Sequence, residues 1–227
     1  MSILELAIGW LAPAECIGCG AEGSALCDVC SLAEVVPYGE RCFICNKFSP
    51  DWVTCDTCRR GGSPRRVWIT TDYEGAAKQL VRLLKFRHLR TAAKPLAYLM
   101  SATLSEGGSV EEDYLVIAVP TATSRVRQRS FDHTSLLSKE IASLKGLEHS
   151  KELKRLGQSR QVGAKRSDRL AQAHDNYYVS RPERIKGRNI LLIDDVITTG
   201  ATLRAATRAL KRAGAKQVDA LVFAKRL

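Results

Sequence analysis

The 227-residue sequence has no apolar run approaching the ~20 residues that a bilayer-spanning helix requires. The apolar stretch at residues 3–11 is interrupted by Glu5 and preceded by no basic residue. It therefore makes a poor secretory signal and reads as a short amphipathic helix packed on the domain that follows. With neither span nor export signal, a cytoplasmic location is expected, and structural disulfides are disfavoured there. Aromatic residues make up only 6% of the chain, so no stacking platform for bases is evident. Low-complexity tracts are absent, and so is the G-x-x-x-x-G-K-[ST] loop of P-loop nucleotide binders.

Nor does any cysteine lie outside a C-x-x-C pair. The eight form four pairs, Cys16/Cys19, Cys27/Cys30, Cys42/Cys45 and Cys55/Cys58. A thioredoxin-like motif would be one such pair at a helix start in a βαβ setting, which four pairs do not resemble. A tight turn with this spacing aims two thiolates at one ion, and two such turns complete a tetrahedral S4 site, for which zinc is the favoured metal. Sequential pairing would put Cys16, Cys19, Cys27 and Cys30 on one ion and Cys42, Cys45, Cys55 and Cys58 on another. That is the simplest arrangement, although spacing alone also permits an interleaved one. Either arrangement fills all coordination positions, so the zinc is expected to be structural, stapling a segment with few large apolar side chains.

Charge is divided unevenly. Through Arg60 there are four Lys and Arg against eight Asp and Glu, a net −4, whereas the remainder of the +11 chain carries +15. A small N-terminal cysteine domain (1–62) and a basic body (63–227) are expected, joined near Gly61-Gly62-Ser63-Pro64.

Within the body, Ile190–Leu191–Leu192–Ile193 has the composition of a strand buried on both faces of a parallel sheet. It runs into Asp194-Asp195-Val196-Ile197-Thr198-Thr199-Gly200-Ala201-Thr202, then into a helical pattern from Leu203 to Ala213 stopped by Gly214. Small and hydroxyl-bearing residues let backbone N–H groups surround a phosphate at a helix N-terminus. Two carboxylates beside that phosphate would be repelled by it, but they can accept hydrogen bonds from sugar hydroxyls. The pattern reads as a site for a phosphorylated sugar at the carboxyl end of a sheet strand.

Upstream, the apolar segment 114–119 is followed by Pro120, Thr121 and a loop carrying Arg125, Arg127 and Arg129. Forked donors at two-residue spacing suit a polyanion such as pyrophosphate. Segment 155–169, with Arg155, Gln158, Arg160, Gln161, Gly163, Lys165, Arg166 and Arg169, is basic and nearly free of large apolar residues, as a lid over an anion would be.

The segment from Asp194 to Thr202 closely resembles the signature of type I phosphoribosyltransferases that binds 5-phosphoribosyl-1-diphosphate (PRPP). The resemblance implies an α/β fold, a mainly parallel sheet flanked by helices. It also implies that Asp194 and Asp195 hold the ribose hydroxyls, that Val196 and residues Thr198, Thr199, Gly200, Ala201 and Thr202 line the 5′-phosphate site, and that Mg²⁺ accompanies PRPP. Four cysteine pairs, Leu83-Leu84-Lys85-Phe86, R-x-R-x-R-S-F-D-H from Arg125 to His133, and R-x-x-x-Q-V-G-x-x-R-x-x-R precede that signature. Together they resemble the ComF-type competence family, double zinc ribbons joined to a phosphoribosyltransferase domain. Many members read R-G-F-N-Q where this chain has Arg129-Ser130-Phe131-Asp132-His133.

That resemblance implies PRPP as ligand, single-stranded DNA as a partner, and a role in DNA uptake and natural transformation beside a helicase or other competence proteins. Two alternatives stand next to it. One is a phosphoribosyltransferase acting on a nucleobase or other small acceptor, with Asp194, Asp195, Arg125, Arg127 and Arg129 carrying catalysis. The other is a zinc-ribbon adaptor in the uptake machinery. No residue identifies itself as a general base for an acceptor.

Overall fold

Five strands assemble into one parallel sheet in the computed structural model, which describes residues 14–59, 62–86, 90–106, 113–121, 131–156 and 176–226. Among the described residues of the head are two short α-helices, α1 (Asp28–Glu34) and α2 (Asp56–Arg59). The body runs β1 (Val67–Asp72), α3 (Gly75–Phe86), α4 (Ala93–Glu106), β2 (Tyr114–Ala118), α5 (His133–Lys145) and β3 (Glu148–Ser150). It continues with β4 (Leu153–Arg155), β5 (Tyr177–Val179), β6 (Asn189–Ile197), α6 (Ala201–Arg212) and β7 (Gln217–Lys225). Strand order is β1-β7-β6-β2-β3, every pairing is parallel, and β4 and β5 form a separate antiparallel pair.

Alternation along the strands divides the core in two, because successive side chains point to opposite faces. Trp68, Val116, Leu191, Ile193, Leu221 and Phe223 face the apolar stripes of α3, α4 and α5. Val67, Ile69, Leu115, Ile117, Ile190, Leu192 and Val222 face α6 and the β4–β5 pair. The stripe of α6, with Leu203, Ala206, Thr207 and Leu210 buried, follows the spacing that puts one helical face on a core. The result is the expected three-layer α/β arrangement.

Two boundaries differ from the sequence reading. The strand expected to end at Ile193 continues through both aspartates to Ile197, because β7 is equally long and pairs Asp194 with Val222, Val196 with Ala224 and Ile197 with Lys225. The helix expected from Leu203 starts two residues earlier, at Ala201, with Gly200 as its cap at φ 71°.

At the opposite end of the sheet, Asp219 is fully buried and anchors the entry of the body. It accepts from Arg65 Nη2 at 3.1 Å, from the Arg66 backbone N–H at 3.0 Å, from Gln217 Nε2 at 2.8 Å and from the Tyr114 hydroxyl. These partners satisfy a carboxylate that would otherwise be costly to bury.

The head packs on both layers. Cys16, Ala25, Leu26 and Cys30 join the core on the α3–α5 side, whereas Tyr38 and Phe43 join the core on the α6 side. Between them, the Tyr38 N–H donates to Thr70 O at 3.1 Å and the Thr71 hydroxyl donates to Val36 O at 2.7 Å, tying the chain to β1.

Candidate functional site

The cysteines fold as two repeats of one device. In the first, Cys16 N–H donates to Ala21 O at 2.8 Å and Gly20 N–H to Cys16 O at 2.9 Å. In the second, Cys42 N–H donates to Lys47 O and Asn46 N–H to Cys42 O, both at 2.9 Å. The residue after each first pair is left-handed, Gly20 at φ 77° and Asn46 at φ 63°, a conformation that glycine and asparagine tolerate.

Pairing is sequential. Cys16, Cys19, Cys27 and Cys30 form one cluster and Cys42, Cys45, Cys55 and Cys58 the other, with the sulfurs of each within 4.8 Å of one another. An S4 tetrahedron around zinc at ~2.3 Å has edges of about 3.8 Å. Cys19 and Cys27 sulfurs are 3.8 Å apart and Cys45 and Cys55 sulfurs 3.7 Å, so both clusters fit that ion. Each also holds its protons unequally. Backbone N–H groups of Cys27 and Cys19 pull the Cys16 thiol down to about 6. For Cys42 burial works upward, but the backbone N–H groups of Cys45, Ile44 and Cys55 bring the thiol down to about 7. Hydrogen bonding to Cys27 with burial raises Cys30, and burial beside Cys55 raises Cys58 to about 12. Four sulfurs crowded together hold some protons, and a bound cation stabilises all four as thiolates.

The acidic pair sits where β6 approaches its end, and strand alternation sends the two side chains to opposite faces. Asp195 faces the α3–α5 layer. Its Oδ2 lies 2.8 Å from Lys85 Nζ, in the last turn of α3, and 2.6 Å from His133 Nε2, at the first residue of α5. Burial alone would raise this carboxyl, but the His133 contact and the Lys85 charge hold it down at about 2. Asp194 is buried, and among the described residues no Lys or Arg forms an ion pair with it. Burial and the neighbouring Asp195 charge raise it to about 8, against the Asp195 N–H that donates to its Oδ1 at 2.9 Å. Burial and mutual repulsion push the two acids apart, and negative charge is favoured on Asp195, which has Lys85 and His133 beside it.

Beyond Ile197, Thr198 and Thr199 are exposed, Gly200 is buried, and Ala201 and Thr202 are exposed on the first turn of α6. The Ala201 N–H donates to the Thr199 hydroxyl at 3.4 Å. A Cβ on Gly200 would overlap Phe43 Cε2, so the loop lies directly on a ring from the cysteine head.

Pro120 and Thr121 close β2 one strand away, since Ala118 pairs with Ile193 and the Val119 N–H donates to Ile193 O at 2.9 Å. Asp132 anchors this turn. It caps α5 by accepting from the Ser135 N–H at 3.2 Å, and it also accepts from the Thr134 and Thr121 hydroxyls at 2.7 and 3.2 Å. Arg125, Arg127 and Arg129 lie outside the described residues, as do residues 3–11 and the part of the basic segment from Gln158 to Arg169. The residues that sequence reasoning did not assign to the site are Lys85, His133 and Phe43. Each stood inside a quoted motif, but nothing local to it indicated a contact with Asp195 or Gly200.

The Phosphoribosyl transferase domain family matches residues 126–227, which include β6, the loop and α6. Competence protein F of Haemophilus influenzae is 25% identical over 214 residues, covering 90% of this chain and 87% of that one. Competence protein ComFC of Streptococcus pneumoniae is 27% identical over 201 residues, covering 87% and 86% of the two chains. A shorter match, 55% identical over 38 residues, relates 17% of this chain to 21% of the length of an adenine phosphoribosyltransferase from Mycobacterium marinum. Over most of its length the chain is similar to proteins named competence protein F and ComFC, with a match to the phosphoribosyl transferase domain behind two four-cysteine groups.

Proposed function

We propose that this protein binds PRPP with Mg²⁺ at the carboxyl end of β6 and acts in the handling of incoming single-stranded DNA. The observation that carries the PRPP reading is the continuous run of buried acids, exposed threonines and a left-handed glycine cap leading into α6. The 5′-phosphate would lie against Thr198, Thr199, Ala201 and Thr202, where backbone N–H groups and the helix N-terminus favour an anion. Asp194, 8% exposed near the carboxyl end of β6, would accept from a ribose hydroxyl, with Asp195 fixed beside it by Lys85 and His133. Pro120 and Thr121, held by Asp132, would border the pyrophosphate side, with Arg125, Arg127 and Arg129 supplying charge. Mg²⁺, when bound with PRPP, neutralises the pyrophosphate. The two cysteine groups would each hold a structural zinc, and residues 1–62 would form a domain distinct from 63–227.

Titration of Mg²⁺·PRPP into wild type and into Asp194→Asn/Asp195→Asn tests the reading. Saturable binding that the double variant loses, with zinc content unchanged, supports it; equal binding by both proteins contradicts it.

A specific surface favours the DNA part. Arg204, Arg208, Lys211 and Arg212 form a basic stripe along α6, and the chain carries +11 overall. Such charge gives salt-dependent affinity for a phosphate backbone without sequence preference. The matched relatives are named as competence proteins, which points the same way, and a cytoplasmic location beside an uptake helicase would fit it. Single-strand binding that weakens steeply with salt is expected; no binding at low salt contradicts this part. Transfer of the phosphoribosyl group to an acceptor is a second reading, favoured by the match to the transferase domain. Pyrophosphate release from PRPP with a panel of bases tests it.

A further inference from the structure

The two cysteine groups are alike in their sulfurs and unlike in what they touch. The first, through Cys16 and Cys30, belongs to the core on the α3–α5 side of the sheet. The second stands over the phosphate loop, and two contacts link them.

Phe43 lies between Cys42 and Ile44, inside the C-x-x-C turn itself, and is only 1% exposed. Its ring packs in the cluster that contains Ile197 and Leu203, the residues on either side of the loop. Its Cδ2 would be 3.0 Å from a Cβ on Gly200, and its Cε2 closer still. The ring is therefore the floor on which the left-handed cap of α6 rests. The second contact is Asn46, directly after Cys45. Its Oδ1 accepts from the Tyr38 hydroxyl and, at 3.4 Å, from Lys225 Nζ. Lys225 is the register partner of Ile197, and the next residue, Arg226, donates its N–H to Ile197 O at 2.8 Å. The C-x-x-C turn thus grips the loop at Gly200 and, through β7, at Ile197.

We infer that Phe43 is a positioning residue for the phosphate loop, and that occupancy of the second four-cysteine group by metal is thermodynamically coupled to occupancy of the loop by ligand, whereas the first group is uncoupled. This rests on the PRPP reading above. Metal draws Cys42, Cys45, Cys55 and Cys58 onto one point and fixes the turn that carries Phe43. Without it, the turn keeps its backbone hydrogen bonds, the Asn46 contacts and the packing of Phe43 but loses the point that draws its thiolates together, and the Phe43 floor shifts under Gly200. Coupling is reciprocal, so a ligand that orders the loop must hold the metal more tightly by the same factor, with typical factors of about 5–150.

The test uses the full chain loaded with two zinc ions and follows release to a chelator with and without saturating Mg²⁺·PRPP. One zinc equivalent is expected to leave about tenfold more slowly with PRPP, the other at an unchanged rate. In the two-cadmium protein, PRPP should shift one ¹¹³Cd resonance, the one that remains in Cys19→Ser. At PRPP concentrations that saturate the variant by calorimetry, Phe43→Ala should abolish both effects and show weakened PRPP affinity, and Phe43→Leu should restore much of them. PRPP binding seen by calorimetry with both zinc ions leaving at unchanged rates overturns the coupling, as does protection that survives Phe43→Ala. Should Phe43→Ala fold poorly, the ¹¹³Cd shift in the wild-type chain decides alone. Absence of any PRPP binding by calorimetry overturns the reading of the loop, and the coupling with it.

Discussion

His133 Nε2 lies 2.6 Å from Asp195 Oδ2, joining the first residue of α5 to the second acid of β6. Both side chains are almost wholly buried, and Lys85 completes the group from α3. A carboxylate this deep in the protein persists because cations and donors surround it.

Removing one of those partners should be costly. His133→Ala is expected to lower stability by roughly 1–3 kcal/mol, the penalty for leaving a buried polar group poorly satisfied. His133→Gln, which keeps a donor, should recover most of that loss. Thermal denaturation of the two variants checks the order.

The acid pair also predicts how stability follows pH. Asp194 has a folded value raised to about 8 by burial and by Asp195, so the folded state keeps a proton that the unfolded chain releases near pH 4. Stability from this group is present below about pH 4 and declines as pH rises toward 8. Asp195 behaves oppositely, its value being held near 2, so its contribution is present above about pH 4 and lost as pH falls toward 2. Asp194→Asn should therefore stabilise the ligand-free protein at pH 8 but not at pH 4. A gain of about 1 kcal/mol would appear as ~2–4 °C in Tm.

Gly200 has two reasons to resist substitution, its φ of 71° and the Phe43 ring beneath it. Gly200→Ala should cost about 1–3 kcal/mol of stability, the scale of a non-glycine residue forced into a sparsely populated conformation. PRPP affinity should fall with it. Calorimetric titration alongside a melt separates the two losses.

Two metal ions per chain are expected by elemental analysis of the protein purified without chelator. Cys27→Ser and Cys55→Ser should each reduce the count to one, because each touches a different cluster. Both variants should be less stable than the parent, since metal binding contributes directly to folding of small cysteine modules.

Much of this architecture was legible from residue order. The four cysteine pairs, the buried run at Ile190–Ile193 and the small, hydroxyl-bearing loop leading into a helix are local patterns, and local patterns survive into structure. The choice between sequential and interleaved cysteines was not legible, because spacing within a pair says nothing about which pairs meet. The extension of β6 to Ile197 depended on the length of β7 as a partner. Lys85, His133 and Phe43 come from distant parts of the chain and meet the β6 end only because α3, α5 and the second cysteine turn converge there. Asp132, standing where the R-G-F-N-Q pattern has asparagine, fills a role that either residue can, accepting hydrogen bonds as the cap of α5.

PRPP binding at the end of β6 is tested most directly by a crystal structure of the zinc-loaded protein with Mg²⁺ and PRPP. The 5′-phosphate is expected against the N–H groups of residues 198–202, with the ribose hydroxyls within hydrogen-bond reach of Asp194 or Asp195. PRPP bound elsewhere, or that loop left empty at saturating ligand, would contradict it.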